Sequence, residues 1–427
     1  MGFLCHLCIF HSILLFSASI ISSASDTLRD KQVLEHGQTL VSSNNRFELG
    51  FFVAGTNSNN NTYLGIWYKN MRQTVVWVAN RNNPIIGSPG RLSLFSNGFA
   101  VSYNNSLVNV LSVNSTKAMT SPILRLLNNG NLVFVDEESV DSEEDYVWQG
   151  FDYITDNLLP EMKLGWNLKT GYSTNLTSWS SSDDPSSGEY TFWLDSPETP
   201  QLVLTKGTEK LYRWGPWDGV RFSGNRELKP NPVFSPLFNS NGAEVYYSFR
   251  DDDDSTLSRF VVTQQGLIDY LVWSESEEDW TTLVNLQSNA CDNYGFCGPY
   301  GSCYTYPTCK CLKGFQPKSP DEWKRLGCER KWNLSCGNGD GFVKYKSLKL
   351  PDKSYLGTNR SLSAKECEAE CLRNCSCTAY AWLSIHNNGG NCVMWLGELV
   401  DLRNYPDGED LYIRMARQEL GMYNQFG

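Results

Sequence analysis

Between residues 25 and 290 the apolar positions come in short bursts, not in helical stripes. Tyr63 to Tyr68 and Thr74 to Val78 are runs of β-branched and aromatic residues closed off by Asn-rich stretches, which is the mark of short strands. Asn-Gly pairs at 97–98, 129–130 and 241–242 predict hairpins, because the favoured two-residue turn needs positive φ at both central positions. No apolar period of 3.6 residues is sustained over this stretch. The pattern also repeats. Leu92, Leu94, Asn97, Gly98 and Val101 recur as Leu124, Leu126, Asn129, Gly130 and Val133, with a looser copy in Phe260, Val262, Gln265 and Gly266. Repeats of one supersecondary unit bury their apolar faces against each other. The expected architecture is a small closed β arrangement with approximate internal symmetry.

After residue 290 the character changes. The first 290 residues hold ten of the 14 tryptophans but only two of the 14 cysteines, Cys5 and Cys8. The other twelve cysteines fall between Cys291 and Cys392. Cys291, Cys297, Cys303, Cys309, Cys311 and Cys328 form one set; Cys336, Cys367, Cys371, Cys375, Cys377 and Cys392 form another. Such density reads as a disulfide framework, which needs an oxidising compartment. Six cysteines allow 15 pairings, and spacing does not choose among them. Ser363 followed by Glu366 is a capping box, so a helix is expected from Ala364, with Cys367 and Cys371 on one face.

Residues 1–24 are an apolar start with small residues at 22–24, and read as a secretory signal peptide. No later run is apolar enough to span a membrane. The net charge of −11 therefore belongs to the remainder, and argues against nucleic acid or an anionic membrane as partner. Asn60, Asn104, Asn114, Asn175, Asn333 and Asn359 are glycosylation acceptors in a secreted chain; a seventh, Asn374, sits between cysteines. Only four histidines occur, two of them in the leader, leaving His36 and His386. That scarcity excludes clustered-imidazole metal chemistry and a Ser-His-Asp hydrolase. No catalytic, metal-binding or cofactor-binding set is expected.

Several motifs are specific to one family. Trp148-Gln149-Gly150-Phe151-Asp152-Tyr153 with Asp156 and Leu159-Pro160 resembles a hallmark of the plant S-locus glycoprotein and S-domain (G-type lectin) receptor kinase family. Ser178-Trp179 with Asp183-Asp184-Pro185 and Gly188, and Gly215 to Gly219 with Phe222 to Gly224, resemble two more. Cys297-Gly298-Pro299-Tyr300-Gly301 with Cys303 is similar to its EGF-like module, and the last cysteine set to its PAN/apple module. The resemblance implies a mainly β chain. After the leader it would run as a bulb-lectin-like β-prism at 25–150, a second prism (the S-locus glycoprotein domain) at 151–290, an EGF-like module at 291–328, a PAN/apple α+β module at 336–416 and a tail at 417–427. It further implies the pairings 291–303, 297–309, 311–328, 367–392, 371–377 and 336–375. Full-length relatives continue into a membrane span and a Ser/Thr kinase. This sequence has no Gly-rich phosphate loop, no catalytic-loop aspartate and no DFG, so no kinase activity is expected of it.

The family's mannose motif places Gln, Asp, Asn, Val and Tyr on alternate positions. Here the aligned residues are Leu127, Asn129, Asn131, Val133 and Val135, and in the other copy Phe95, Asn97, Phe99, Val101 and Tyr103. Leu or Phe cannot bond a sugar hydroxyl, so the lectin resemblance describes ancestry more than activity. Candidate interface residues lie elsewhere. Asp251, Asp252, Asp253 and Asp254 form an acidic hairpin tip suited to a cationic peptide, although a solvated turn has the same composition. Trp214, Trp217 and Phe222 precede a Pro-containing loop over 225–241, flanked by Arg221 and Arg226. The implied role is extracellular recognition of an apoplastic peptide or small ligand, in a homodimer or with receptor kinases, serving pollen recognition or immune and developmental sensing. The cysteine-rich units would act as a rigid spacer and dimerisation surface. A mannose-binding defence lectin is the alternative.

Overall fold

The computed structural model describes residues 25–54, 61–103, 106–112, 119–224, 234–253, 255–304, 308–322, 326–336, 339–356, 362–383 and 391–423. The leader 1–24, Asn60, Asn104, Asn114, Asn359, Arg226, Asp254, His386 and residues 225–233 of the expected binding loop lie outside them.

Residues 27–149 form three antiparallel sheets around one core. The first orders Thr27–Arg29, Pro122–Leu126, Leu132–Asp136 and Trp148–Gln149. The second orders Ser106–Ser112, Gly98–Tyr103, Arg91–Phe95 and Val33–Glu35. The third runs Thr39–Val41, Phe47–Ala54, Asn61–Tyr68 and Met71–Val78, with Ile85–Ile86 on one strand. The repeated residues explain the symmetry. Leu92, Leu94 and Val101 from one hairpin and Leu124 and Leu126 from the next enter the same core, each burial contributing roughly 2 kcal/mol.

The Asn-Gly pairs do sit at hairpin tips, but not as the two central residues of a two-residue turn. At 129–130 the loop is three residues long, closed by Leu127 N–H donating to the Asn131 carbonyl at 2.8 Å, and Gly130 supplies φ of 90° at its end. At the first pair Phe95 faces Gly98, so Ser96 and Asn97 make the turn.

Residues 157–285 repeat the plan with three more sheets. These are Asn157–Leu158 with Ser258–Val262, Ile268–Ser274 and Asp279–Asn285; Leu164–Asn167 with Glu244–Arg250 and Ser235–Ser240; and the meander Asn175–Ser181, Asp184–Asp195, Gln201–Lys206 and Glu209–Trp214. The two prisms share a continuous apolar core through Trp148, Phe151, Leu158 and Leu159.

The cysteine-rich end carries six disulfides: Cys291–Cys303, Cys297–Cys309, Cys311–Cys328, Cys336–Cys375, Cys367–Cys392 and Cys371–Cys377. The capping box forms, with Ser363 accepting from Glu366 N–H, and opens helix α1 (Ala364–Arg373). Its buried Cys367 and Cys371 tie it to the sheet beneath. The two cysteine sets are not separate beads. Strand Gly301–Tyr304 of the first pairs in parallel with Leu402–Asn404 of the second, Ser302 opposite Leu402, which makes one eight-stranded sheet. An unpaired edge was thereby covered, and the expected spacer becomes a single buttress packed on the second prism.

Candidate functional site

The Trp148 to Asp156 segment is the seam between the prisms. Trp148 meets Phe99 edge-on at 4.8 Å and stacks on Tyr153 at 5.6 Å. Trp77 Nε1 donates to the Tyr153 carbonyl at 2.9 Å. From the first prism, Arg81 reaches across and donates to the carbonyls of Pro185 at 2.8 Å, Thr177 at 3.1 Å and Ser178 at 2.8 Å. Asp156 is buried; burial pushes its carboxyl up, opposed by the charges of Arg81 and Arg259. Gly188 lies against this seam, where a Cβ would come within 2.3 Å of the Trp179 carbonyl.

The degenerate lectin strand is structural. Asn131 is buried; its amide donates to Gln149 at 2.8 Å and its oxygen accepts from Phe151 N–H at 3.1 Å. Asn129 donates to Glu161 at 2.9 Å. Val133 and Val135 pack with Ile123, and Leu127, Val140 and Tyr146 cover them. An apolar lid therefore occupies the face on which a sugar would sit. In the other copy Phe99 and Val101 are core, while Phe95 is exposed.

The acidic hairpin does not project as one patch. Asp251 accepts from Ser258 Oγ at 2.5 Å, Asp252 from Ser235 at 2.6 Å, and Asp253 from the Ser255 hydroxyl at 2.7 Å. Its bonds to Ser255 hold the exposed Asp253 carboxyl below the ordinary range. Burial raises that of Asp251 to about 6, against the Ser258 bond and the charge of Arg46. Asp251 and Asp253 line a cleft of about 520 Å³ at the prism junction. Glu161, Arg46, Arg250 and the Asn128–Asn129 turn also line it. Two features far apart in sequence, the acidic hairpin and the old lectin turn, thus share one cleft.

Three family models match the chain: the D-mannose binding lectin over 74–180, the S-locus glycoprotein domain over 212–319 and the PAN-like domain over 336–402. The chain is 42% identical over 418 residues to receptor-like serine/threonine-protein kinase SD1-8 of Arabidopsis thaliana, covering 96% of this chain and 49% of that protein. It is 42% identical over 419 residues to S-locus-specific glycoprotein S6 of Brassica oleracea, covering 95% of this chain and 93% of that protein. The chain belongs to the S-locus glycoprotein and S-domain receptor kinase family. It spans about half the length of its receptor-kinase relatives, the half that precedes their kinase, and most of the S-locus glycoproteins. No kinase domain is present in the 427 residues, and no described helix is long and apolar enough to cross a membrane.

In this S-domain chain the second prism is welded to the cysteine-rich buttress by buried charge. Arg213 donates to Asp401 at 2.8 Å, to Gln201 at 3.1 Å and to the Leu350 carbonyl at 2.6 Å. Lys349 meets the same Asp401 carboxylate at 2.8 Å. Asp352 accepts from Lys210 at 2.9 Å, Gln201 at 2.8 Å and Tyr294 at 2.6 Å. Arg221 contributes to this junction: it pairs with Asp218 at 3.7 Å and donates to the Asp407 carbonyl. Trp214 and Phe222 are core, and Trp217 stacks on Phe238 at 4.4 Å. The acceptors Asn175 and Asn333 are exposed. Cys297, Cys303 and Cys309 bring their sulfurs together, but each is held in a disulfide and offers no thiolate to a metal.

Proposed function

We propose that this chain is an extracellular ligand-recognition protein of the S-domain type, serving pollen recognition or immune and developmental sensing. In this reading residues 1–24 direct secretion, and the chain divides into two prisms, an EGF-like and a PAN module at the boundaries given above. A peptide with basic side chains enters the junction cleft, and a second copy or a receptor kinase is the partner in signalling. The observation that carries the ligand assignment is the cleft of about 520 Å³ whose lining includes Asp251, Asp253 and Glu161 alongside Arg46 and Arg250. Asp251, partly withdrawn from water beside the exposed Asp253 and Glu161, discriminates for a cation.

The test is a pull-down of apoplastic peptides with the glycosylated protein and with its Asp251→Asn/Asp253→Asn variant. Basic peptides retained by the first and lost by the second support the reading; retention by both overturns it. A glycan array covers the lectin alternative: tight mannose binding abolished by Asn129→Ala/Asn131→Ala would replace the peptide reading.

A further inference from the structure

The second prism carries another cleft, of about 320 Å³, on the strands Leu164–Asn167 and Glu244–Arg250. Its walls are aromatic: Tyr153, Trp166, Tyr172 and Tyr246. Tyr153 and Tyr172 are 46% and 49% exposed, with their rings 6.3 Å apart. Tyr153 has one face covered by Trp148, with planes 15° apart, and borders the cleft with the rest. A ring held from behind in this way is a fixed platform.

The charged lining is unequal. Lys163 is committed to Glu244 at 3.0 Å and lies over the Tyr246 ring at 4.8 Å. Asp152 stands at the mouth. It accepts from the Gln149 amide at 3.1 Å, and no described cation forms an ion pair with it. Although Asp152 touches solvent, crowding by the walls pushes its carboxyl above the ordinary range, with Gln149 and Lys163 opposing and Glu244 adding to the rise. Asp152, Glu244 and Lys163 sum to a single negative charge. The cleft thus offers electron-rich ring faces beside a carboxylate that has an amide donor but no direct ion pair among the described residues.

We propose that this cleft takes an arginine side chain of an extracellular peptide, its guanidinium plane against Tyr153 or Tyr172 and its N–H groups toward Asp152. Arginine fits better than lysine because its head is flat, weakly hydrated and able to stack and donate at once. A neutral sugar ring would use the platform and leave the Asp152 charge unmatched. The assignment rests on the peptide-recognition reading and adds a second anchor to it. The two clefts are joined: strand Glu244–Arg250 runs from one to the other, and Asn129, Asn131, Gln149 and Asp152 form a continuous hydrogen-bond chain between them.

The test is titration of the glycosylated protein with N-acetyl-arginine amide, its citrulline analogue and methyl α-mannoside, read by saturation-transfer NMR. The expected result is arginine binding at least roughly tenfold tighter than citrulline, whose flat urea keeps the shape but replaces a charged N–H₂ donor by a neutral carbonyl oxygen. Asp152→Asn weakens it by roughly tenfold and Tyr172→Ala by about fivefold, with melting temperatures unchanged. Equal binding of arginine and citrulline, indifference to both substitutions, preference for the mannoside, or no saturation by arginine each overturns the proposal. If the amide fails while basic peptides are still captured through Asp251 and Asp253, only this second anchor falls. If the amide binds and no basic peptide is captured, the junction-cleft reading falls instead.

Discussion

Arg213 of the second prism and Asp401 of the cysteine-rich buttress meet at 2.8 Å with side chains 0% and 4% exposed. The pair is fully bonded, since the guanidinium also satisfies Gln201 and the Leu350 carbonyl. Removing one partner strands the other's charge in a buried site. Asp401→Asn leaves both Arg213 and Lys349 without their carboxylate, and is expected to cost ~3–5 kcal/mol in urea unfolding. Replacing a surface pair such as Arg29 and Glu137 is expected to cost under ~1 kcal/mol in the same assay.

Acidity acts on this junction through Glu409, which accepts from Ser223 Oγ at 2.5 Å. Burial, with Asp218 adding to it, raises this carboxyl to about 7 despite the Ser223 bond. A folded value above the unfolded one means that the native state keeps its proton longer. Glu409 therefore lowers stability progressively as pH rises from the unfolded value of 4.5 toward about 7. Glu409→Gln should remove that slope, gaining about 1–3 kcal/mol at pH 7 and nothing at pH 4. Asp352 works in the opposite sense. Burial would raise it, but Arg213, Lys210 and the Tyr294 hydroxyl hold it far below the usual range, so its stabilisation fades only as the medium becomes strongly acid.

Arg81 fixes the two prisms by donating to three carbonyls of the second. Lysine in its place keeps the charge but loses the fork. Arg81→Lys is expected to cost about 2 kcal/mol and to speed amide exchange in the strands Asn175–Ser181 and Asp184–Asp195. Unchanged exchange there would show that the seam holds without it.

Ligand affinity should carry its own pH signature. With the Asp251 carboxyl near 6, the charge that holds a cation appears between pH 5 and pH 7. Binding of a basic peptide is expected to tighten by up to roughly tenfold over that interval and to become flat in Asp251→Asn, measured by calorimetry.

Much of the fold is legible along the chain. Alternation at Leu92, Leu94 and Val101, and again at Leu124 and Leu126, carries the prism symmetry, and the late cysteines mark the stapled end. The family motifs are equally plain, although their role as a seam is not: Trp148 and Asp156 are recognisable long before it is apparent that they join two prisms. The junction charges are harder. Arg213 sits between the apolar Tyr212 and Trp214 at the end of its strand, which implies a buried partner. Nothing local names Asp401, because the pairing is made by tertiary packing. Tyr153 and Tyr172 escape notice for the same reason. Each is an ordinary surface tyrosine until the fold sets their rings side by side.

The parallel pairing of Gly301–Tyr304 with Leu402–Asn404 bears on how the protein is made and how it can change. The first cysteine hairpin can close its own bonds early, yet its outer edge waits for residues that leave the ribosome much later. Until then that edge is exposed to whatever other strand is near. Exchanging one cysteine unit between relatives without the other would leave the same edge open, so the two are expected to be inherited as a block.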